Sequence, residues 1–371
     1  MPDCSWRAVA LPMPGALRGV GFVFPAFVWS RNVKPPVKKQ TAGDALRSFA
    51  ATLLSVALVP LFAAAADESA AASSNKVVFL PHWIPQAQFA GYYIAAEKGF
   101  YREQGIDVTI LDGGPRHTVE KLLASGEATI ASHFLSSAVK LRDQGLPVVH
   151  LAQITQRSAL MLVAHKSHGI HSLKDLDGKK VSLWQSFTAQ PEALFRKNNL
   201  RVRIITQGPT INLFMRGGVD AASAMWYNEY HLFLNSGLNE DEVALFFYDR
   251  NGLNFPEDAI VCLAETWRTR PEVCRKFVRA SLAGWEYACG HPDEALRLVM
   301  QRTEQARTGT NRAHQRWMLN CMCDLIRPIK PGISPGELSR EDFDGMVQEL
   351  KTGGEIKAIP RYEDFHASLS P

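Results

Sequence analysis

Apolar positions from residue 76 onward fall into short compact runs that alternate with three- and four-residue spacings. The run 76–80, KVVFL, is of strand type, and 87–104 places Phe89, Tyr92, Tyr93, Ala96 and Phe100 on or near one helical face, with Gly105 as the stop. A strand at 106–111 runs into Gly113-Gly114-Pro115, a helix at 118–125 ends at Gly126, and a strand follows at 128–132. Further apolar strands are predicted at 148–155 and 159–164. Parallel neighbours require crossover connections, so this β-α-β-α-β rhythm predicts a parallel sheet with helices on both faces.

The polar, turn-prone stretch HKSHGIHSLKDLDGKK (165–180) predicts a boundary between lobes. A second series follows, with strands at 180–184, 202–206 and 221–225 and helices at 190–198, 211–215 and 226–234. Beyond a strand at 243–248, the loop DRNGLNFPED leads to 259–264, which returns the chain to the first lobe. The remainder reads as helices at 264–289, 292–301, 312–324 and 340–351. The expected architecture is α/β and two-lobed: 76–164 plus 259–371 form lobe 1, and 165–258 form lobe 2. Two crossings make a hinge, and a ligand cleft lies at the carboxyl ends of strands between two doubly wound sheets.

Composition narrows the class. With 371 residues and 46% hydrophobic content the chain supports packed cores, and 41 basic against 37 acidic residues, without a run of like charge, argues against a nucleic-acid partner. Residues 48–66, SFAATLLSVALVPLFAAAA, are uncharged, follow Lys38, Lys39 and Arg47, and end in small residues before Asp67. That is a secretory signal pattern with cleavage after about Ala66, so 1–66 is read as upstream segment and signal peptide, 67–75 as linker, and the mature chain as periplasmic. Residues 1–32 precede the basic cluster, and the expected translation start lies near 33–37; an organellar transit peptide is the competing idea. Past the signal, Cys262, Cys274, Cys289, Cys321 and Cys323 lack metal-ligand spacing and read as buried thiols, with one unassignable disulfide as the alternative. A monomer is expected.

Candidate ligand contacts lie on loops after strands. Trp83, between Pro81 and Pro85 with Gln86 next, either touches a ligand or caps a core. Gly113 and Gly114 allow close backbone approach to a ligand, or form a plain turn. His133 ends its strand, and Ser136 and Ser137 open the next helix, able to hold a polar group or simply to cap. Trp184 precedes a helix in the second lobe. Trp226, Tyr227 and Glu229 combine aromatic faces for a flat heterocycle with a carboxylate for its amino groups, unless Glu229 merely faces solvent. Asn254 and Glu257 lie at the return crossing, as hinge or ligand contact. No phosphate loop, GxSxG or HExxH is present, and the three-residue spacing of His165, His168 and His171 sits in a loop without a matching donor set. No catalytic or metal-binding residue is assigned.

The run FLPHWIPQAQFAGYYIAAEKGFYREQGIDVTILDGGP, with SLKDLDGKKV, MWYNEYH and GLNFPED, resembles solute-binding proteins of ABC importers. More narrowly it is similar to the subgroup shared with thiamine pyrimidine synthase. The resemblance implies a type II periplasmic-binding-protein fold, a small ligand such as an aminopyrimidine thiamine precursor, a riboflavin-like compound or an alkyl sulfonate, and an inner-membrane ABC permease as partner. It also implies an alternative, since the synthase uses a lysine-held pyridoxal phosphate, an active-site histidine and iron. The positions matching that lysine and histidine hold His133 and Ser137, and the cysteine-rich iron-associated motif is reduced to Cys262. Capture without a cofactor is therefore the expectation. Aromatic loops favour a flat heterocycle, a thiamine-precursor pyrimidine first among them.

Overall fold

The structure, a computed structural model, describes residues 75–367; the signal segment, the residues before it and the linker up to residue 74 lie outside them. Ten strands form two five-stranded sheets. β1 (Lys76–Leu80), β2 (Asp107–Ile110), β3 (Ile130–Phe134), β4 (Val148–Gln153) and β10 (Asp258–Leu263) make the first sheet, ordered β2-β1-β3-β10-β4. β5 (Leu160–His165), β6 (Lys180–Leu183), β7 (Arg203–Thr206), β8 (Ala221–Met225) and β9 (Val243–Phe247) make the second, ordered β7-β6-β8-β5-β9. In each sheet four strands run in one direction and one runs against its neighbours: β10 is antiparallel to β3 and β4, and β5 to β8 and β9.

The pairing of β5 corrects the expected lobe boundary. Leu160–His165 hydrogen-bonds only into the second sheet, with Leu160 opposite Met225 and Met161 opposite Phe247. The first crossing is therefore 154–159, and 160–164 belong to lobe 2 rather than lobe 1. The polar stretch after β5 is a surface turn within lobe 2. The second crossing, 248–257, lies where the NFPED loop predicts it, although Asp258 already pairs with Phe134 in the first sheet.

Among the helices that support the sheets are α1 (Ala90–Glu97), α2 (Leu135–Asp143), α3 (Ala189–Lys197), α4 (Glu229–Asn235), α5 (Pro271–Gly290), α6 (Pro292–Gln305), α7 (Arg312–Leu325) and α8 (Arg340–Thr352). Their starts follow local chemistry. Proline opens α5 and α6, where a missing N–H costs nothing, while Asn311 and Ser339 side chains accept the His314 and Asp342 amides to cap α7 and α8. The predicted helix at 87–104 breaks at Gly99, whose φ of 85° no helix residue adopts. Strands β4 and β5 are buried on both faces, the pattern of a sheet covered by helices on either side.

One disulfide, Cys289–Cys323, ties the end of α5 to α7, so the reading of all five cysteines as free thiols is corrected; Cys262, Cys274 and Cys321 are buried and free. Among the described residues no helix is long and apolar enough to cross a membrane.

Candidate functional site

The carboxyl ends of β3, β6 and β8 and both crossings face one another across the gap between the lobes. A narrow cleft there, with a cavity volume of about 20 Å³, is lined by Phe134, Ser136 and Lys140 from lobe 1, by Ser186, Phe187, Gln190 and Met225 from lobe 2, and by Phe255, Pro256 and Glu257 from the second crossing. The lobes are drawn together around it. Phe134 and Phe187 rings meet at 4.9 Å, Lys140 Nζ donates to Ser186 O at 3.2 Å, and Glu355 accepts from both Lys140 (3.4 Å) and Thr188 (3.1 Å). A wider groove between 249–255 and 329–349 is less apt, because its lysines are already paired: Lys197 with Glu349 and Lys330 with Glu341 and Asp342.

Glu257 forms the floor. Although only 5% exposed, its carboxylate accepts from Ser158 Oγ (2.8 Å), Ala159 N (2.9 and 2.8 Å) and Leu160 N (3.1 Å). It thereby fastens the return crossing to the first one. Burial pushes its carboxyl up to about 8 against those donors, with Asp258 adding to the rise. Asn254 completes the fastening by accepting from Ser158 N (2.8 Å) and donating to Gln156 O (3.1 Å), so its amide is spent within the hinge.

Beside the floor lies a buried polar network in lobe 1. Ser132 Oγ accepts from His82 N at 3.0 Å and lies 2.9 Å from His82 Nδ1. The ring's other nitrogen, Nε2, lies 3.3 Å from Gln88 Nε2 and 3.8 Å from Asp258. Gln88 Nε2 donates to both Asp258 oxygens at 3.0 Å, and Gln86 donates to Gln88. Burial holds His82 well below the usual imidazole range, with His133 adding to the effect, and lifts Asp258 to about 7. His, Ser and Asp here have the composition of a nucleophilic triad, yet Ser132 is fully buried and the carboxylate lies beyond hydrogen-bond distance of the ring. The arrangement orders a loop.

Of the residues singled out from sequence, Ser136 and Glu257 line the cleft. His133 stands 6.3 Å from His82, ring to ring, with Nδ1 buried and unpartnered; burial first, then Lys140, lowers it to about 4. Tyr227 is buried, its phenol pushed up by burial and by the carboxyls of Asp258, Glu257 and Glu229. Gln86 is buried within the network, and Ser137 is half-buried without lining the cleft.

Others have different work. A Cβ on Gly113 would lie 1.8 Å from Pro81 O, and one on Gly114 2.8 Å from Ile84, so these glycines admit the β1 loop rather than a ligand. Glu229 turns its carboxylate onto its own helix start, accepting from Met225 N (3.0 Å) and Asn228 Nδ2 (2.8 Å), which leaves little capacity for a ligand. Trp226 packs edge-on against Phe247 and accepts Trp317 Nε1–H at its carbonyl, and Trp184 packs edge-on against Phe187. Trp83 remains 41% exposed at the tip of the β1 loop.

Sequence reading missed Phe134, Lys140, Phe187 and Gln190, while Phe255 lies in the return-crossing loop that it singled out. Lys140 was within reach, since it sits one helical turn after Ser136 and therefore on the same face. The two missed phenylalanines carried no signal distinguishing them from core residues.

A family model described as NMT1/THI5 like matches residues 86–295. The chain belongs to the NMT1/THI5-like family. Among NMT1/THI5-like relatives, a riboflavin-binding protein (RibY) of Chloroflexus aurantiacus is 30% identical over 66% of this chain and 72% of its own. A formylaminopyrimidine-binding protein of Halalkalibacterium halodurans is 23% identical over 68% and 79%. A Saccharomyces cerevisiae 4-amino-5-hydroxymethyl-2-methylpyrimidine phosphate synthase (THI13) is 23% identical over 60% and 70%. The periplasmic aliphatic sulphonate binding protein SsuA of Escherichia coli superposes with a TM-score of 0.60 at 14% identity, covering 79% of this chain and 92% of that one. The fold of this NMT1/THI5-like chain is that of the periplasmic binding proteins.

Proposed function

We propose that this chain is the exported solute-binding subunit of an ABC importer and that it captures a small flat heterocycle, with a thiamine-precursor pyrimidine as the leading ligand. The observation that carries the reading is the interlobe cleft, lined by Phe134, Phe187 and Phe255 with polar groups from Ser136, Gln190 and Glu257. Apolar rings with a few convergent polar groups suit a flat molecule held edge-on by hydrogen bonds. Relatives named for binding riboflavin and formylaminopyrimidine support the same ligand class. The Cys289–Cys323 disulfide supports an oxidising, extracytoplasmic compartment. Ligand contacts from both lobes stabilise the closed form, which a membrane permease recognises. The chain acts as a monomer in this role.

The synthase alternative has weaker support in this chain's residues. Lys140 is the lysine at the cleft, and it is held by Ser186 O and Glu355 rather than free for an aldehyde. Among the described residues no group of three or more His, Cys, Asp or Glu is arranged to hold iron. Pyridoxal phosphate and iron do not fit the side chains present.

Native mass spectrometry of protein purified without denaturation should show a retained heterocycle. Calorimetry with riboflavin and with 4-amino-5-hydroxymethyl-2-methylpyrimidine should then show which is bound. Trp83, exposed on the loop after β1 and outside the cleft lining, is the further stacking face in this reading, and Trp83→Ala should weaken binding by about 1–3 kcal/mol. Absence of any retained molecule and of binding heat with both ligands would defeat the reading. Schiff-base absorbance with pyridoxal phosphate would favour the synthase.

A further inference from the structure

Two imidazoles meet across the mouth of the closed lobes. His231 belongs to α4 of lobe 2. His314 belongs to α7, which is joined to lobe 1 by the bond from Ala87 N to Gln315 Oε1 and by the Cys289–Cys323 disulfide. Their Nδ1 atoms are 2.9 Å apart. At that separation one nitrogen must carry a proton and the other must be bare.

Neighbouring bonds decide which. Asn228 Nδ2 donates to Glu229 Oε1 at 2.8 Å, which turns Asn228 Oδ1 toward His314 Nε2, also at 2.8 Å. An amide oxygen accepts, so His314 carries its proton on Nε2 and presents a bare Nδ1. His231 then donates its Nδ1–H across the gap. The chain runs from His231 through His314, Asn228 and Glu229 to Met225 N, and Met225 lines the cleft. The rim contact and the cleft wall share one hydrogen-bonded path.

We propose that His231 and His314 form a proton-sensitive latch: the lobes stay closed while a single proton lies between the facing Nδ1 atoms, and protonation of both rings in acid opens the cleft. With both rings protonated, two N–H groups point at each other with no acceptor between two cations. The groups facing the pair bring no carboxylate against it. His231 meets the Asn235 amide at 3.0 Å, whose oxygen satisfies the same N–H when the amide is flipped, and the Trp317 indole, stacked at 4.9 Å and 16°. That indole also crosses between lobes, donating to Trp226 O at 3.0 Å, and its face favours a cation only weakly. His314 meets Asn228 and, through its own N–H, Asn311. The nearest carboxylate on this path, Glu229, lies behind Asn228 and accepts from two donors of its own helix start.

Burial holds both imidazoles below the usual range, and His231 helps take His314 down to about 4. In the open form both rings face water and return to an ordinary value near 6.5. Protons therefore bind the open form more tightly. For His314 alone the ratio of closed to open should fall roughly 30-fold between pH 7.5 and pH 5. The consequence for ligand release rests on the solute-binding reading, whereas the latch does not.

The test uses ligand-free protein, with small-angle X-ray scattering for lobe separation and histidine-detected NMR for the imidazole protons from pH 7.5 to 5. The wild type should expand, with loss of the shared Nδ1–H signal, over the interval between pH 6.5 and 4. His231→Phe, which keeps a ring against Trp317, and His314→Gln should both lack that step. A wild type that stays compact to pH 5, imidazoles that titrate at ordinary values without lobe movement, or an unchanged step in both variants would each overturn the latch. Persistence of the step in a protein that binds neither riboflavin nor the aminopyrimidine would retain the latch and remove the ligand reading.

Discussion

Glu257→Gln tests the physics of the cleft floor. In the native protein this carboxyl is moved from 4.5 to about 8 by burial. A group that holds its proton more tightly when folded stabilises the fold at low pH, and that contribution is lost as pH rises from the unfolded value toward the folded one. Between pH 5 and pH 7 the loss from Glu257 amounts to about 2–3 kcal/mol. Buried histidines act in the opposite sense: His82, His133, His150 and His314 are held low, so the unfolded chain binds their protons and stability rises with pH across the same interval. The raw slope of the wild type therefore mixes both. The difference between wild type and variant isolates Glu257, because glutamine mimics the protonated acid and does not titrate. Guanidinium unfolding followed by circular dichroism at pH 5, 6 and 7 should show the wild type losing about 2–3 kcal/mol relative to Glu257→Gln over the two pH units. A difference that stays constant, or that grows in favour of the wild type, would show that the carboxyl is ionised throughout and that its three donors outweigh burial.

Two further substitutions test the scaffold. Gly113→Ala places a methyl group 1.8 Å from Pro81 O and 2.7 Å from Trp83 O, so the β1 loop must shift; a loss of about 1–3 kcal/mol in thermal unfolding is expected, and an unchanged midpoint would refute the close packing. Cys289→Ser opens a loop of sequence separation 34, for which chain entropy gives a loss of about 3–4 kcal/mol, read by chemical unfolding with the wild type under reducing conditions as the matching control. Equal stability of oxidised and reduced wild type would remove the disulfide.

Local pattern was enough to find the elements. KVVFL and Ala221–Met225 are strands over the residues their apolar runs indicate, and the starts of α5 and α6 follow from proline at the first turn. The alternation of these elements also determined two sheets with crossovers, and the shift from strands to helices past residue 264 is visible in spacing alone. What the pattern could not carry was partnership. β5 is apolar on both faces and would sit equally well in either sheet; its bonds to β8 and β9, formed with residues about sixty and eighty positions later, assign it to lobe 2. Likewise Glu257 and Asn254 read as ligand contacts or hinge alike until the first crossing was brought beside them, and Trp226 read as a stacking face until Phe247 and Trp317 covered it. Periodicity records which side of an element is buried, because that depends on residues two, three or four apart. The identity of what buries it depends on contacts far along the chain, and only the tertiary structure decided those.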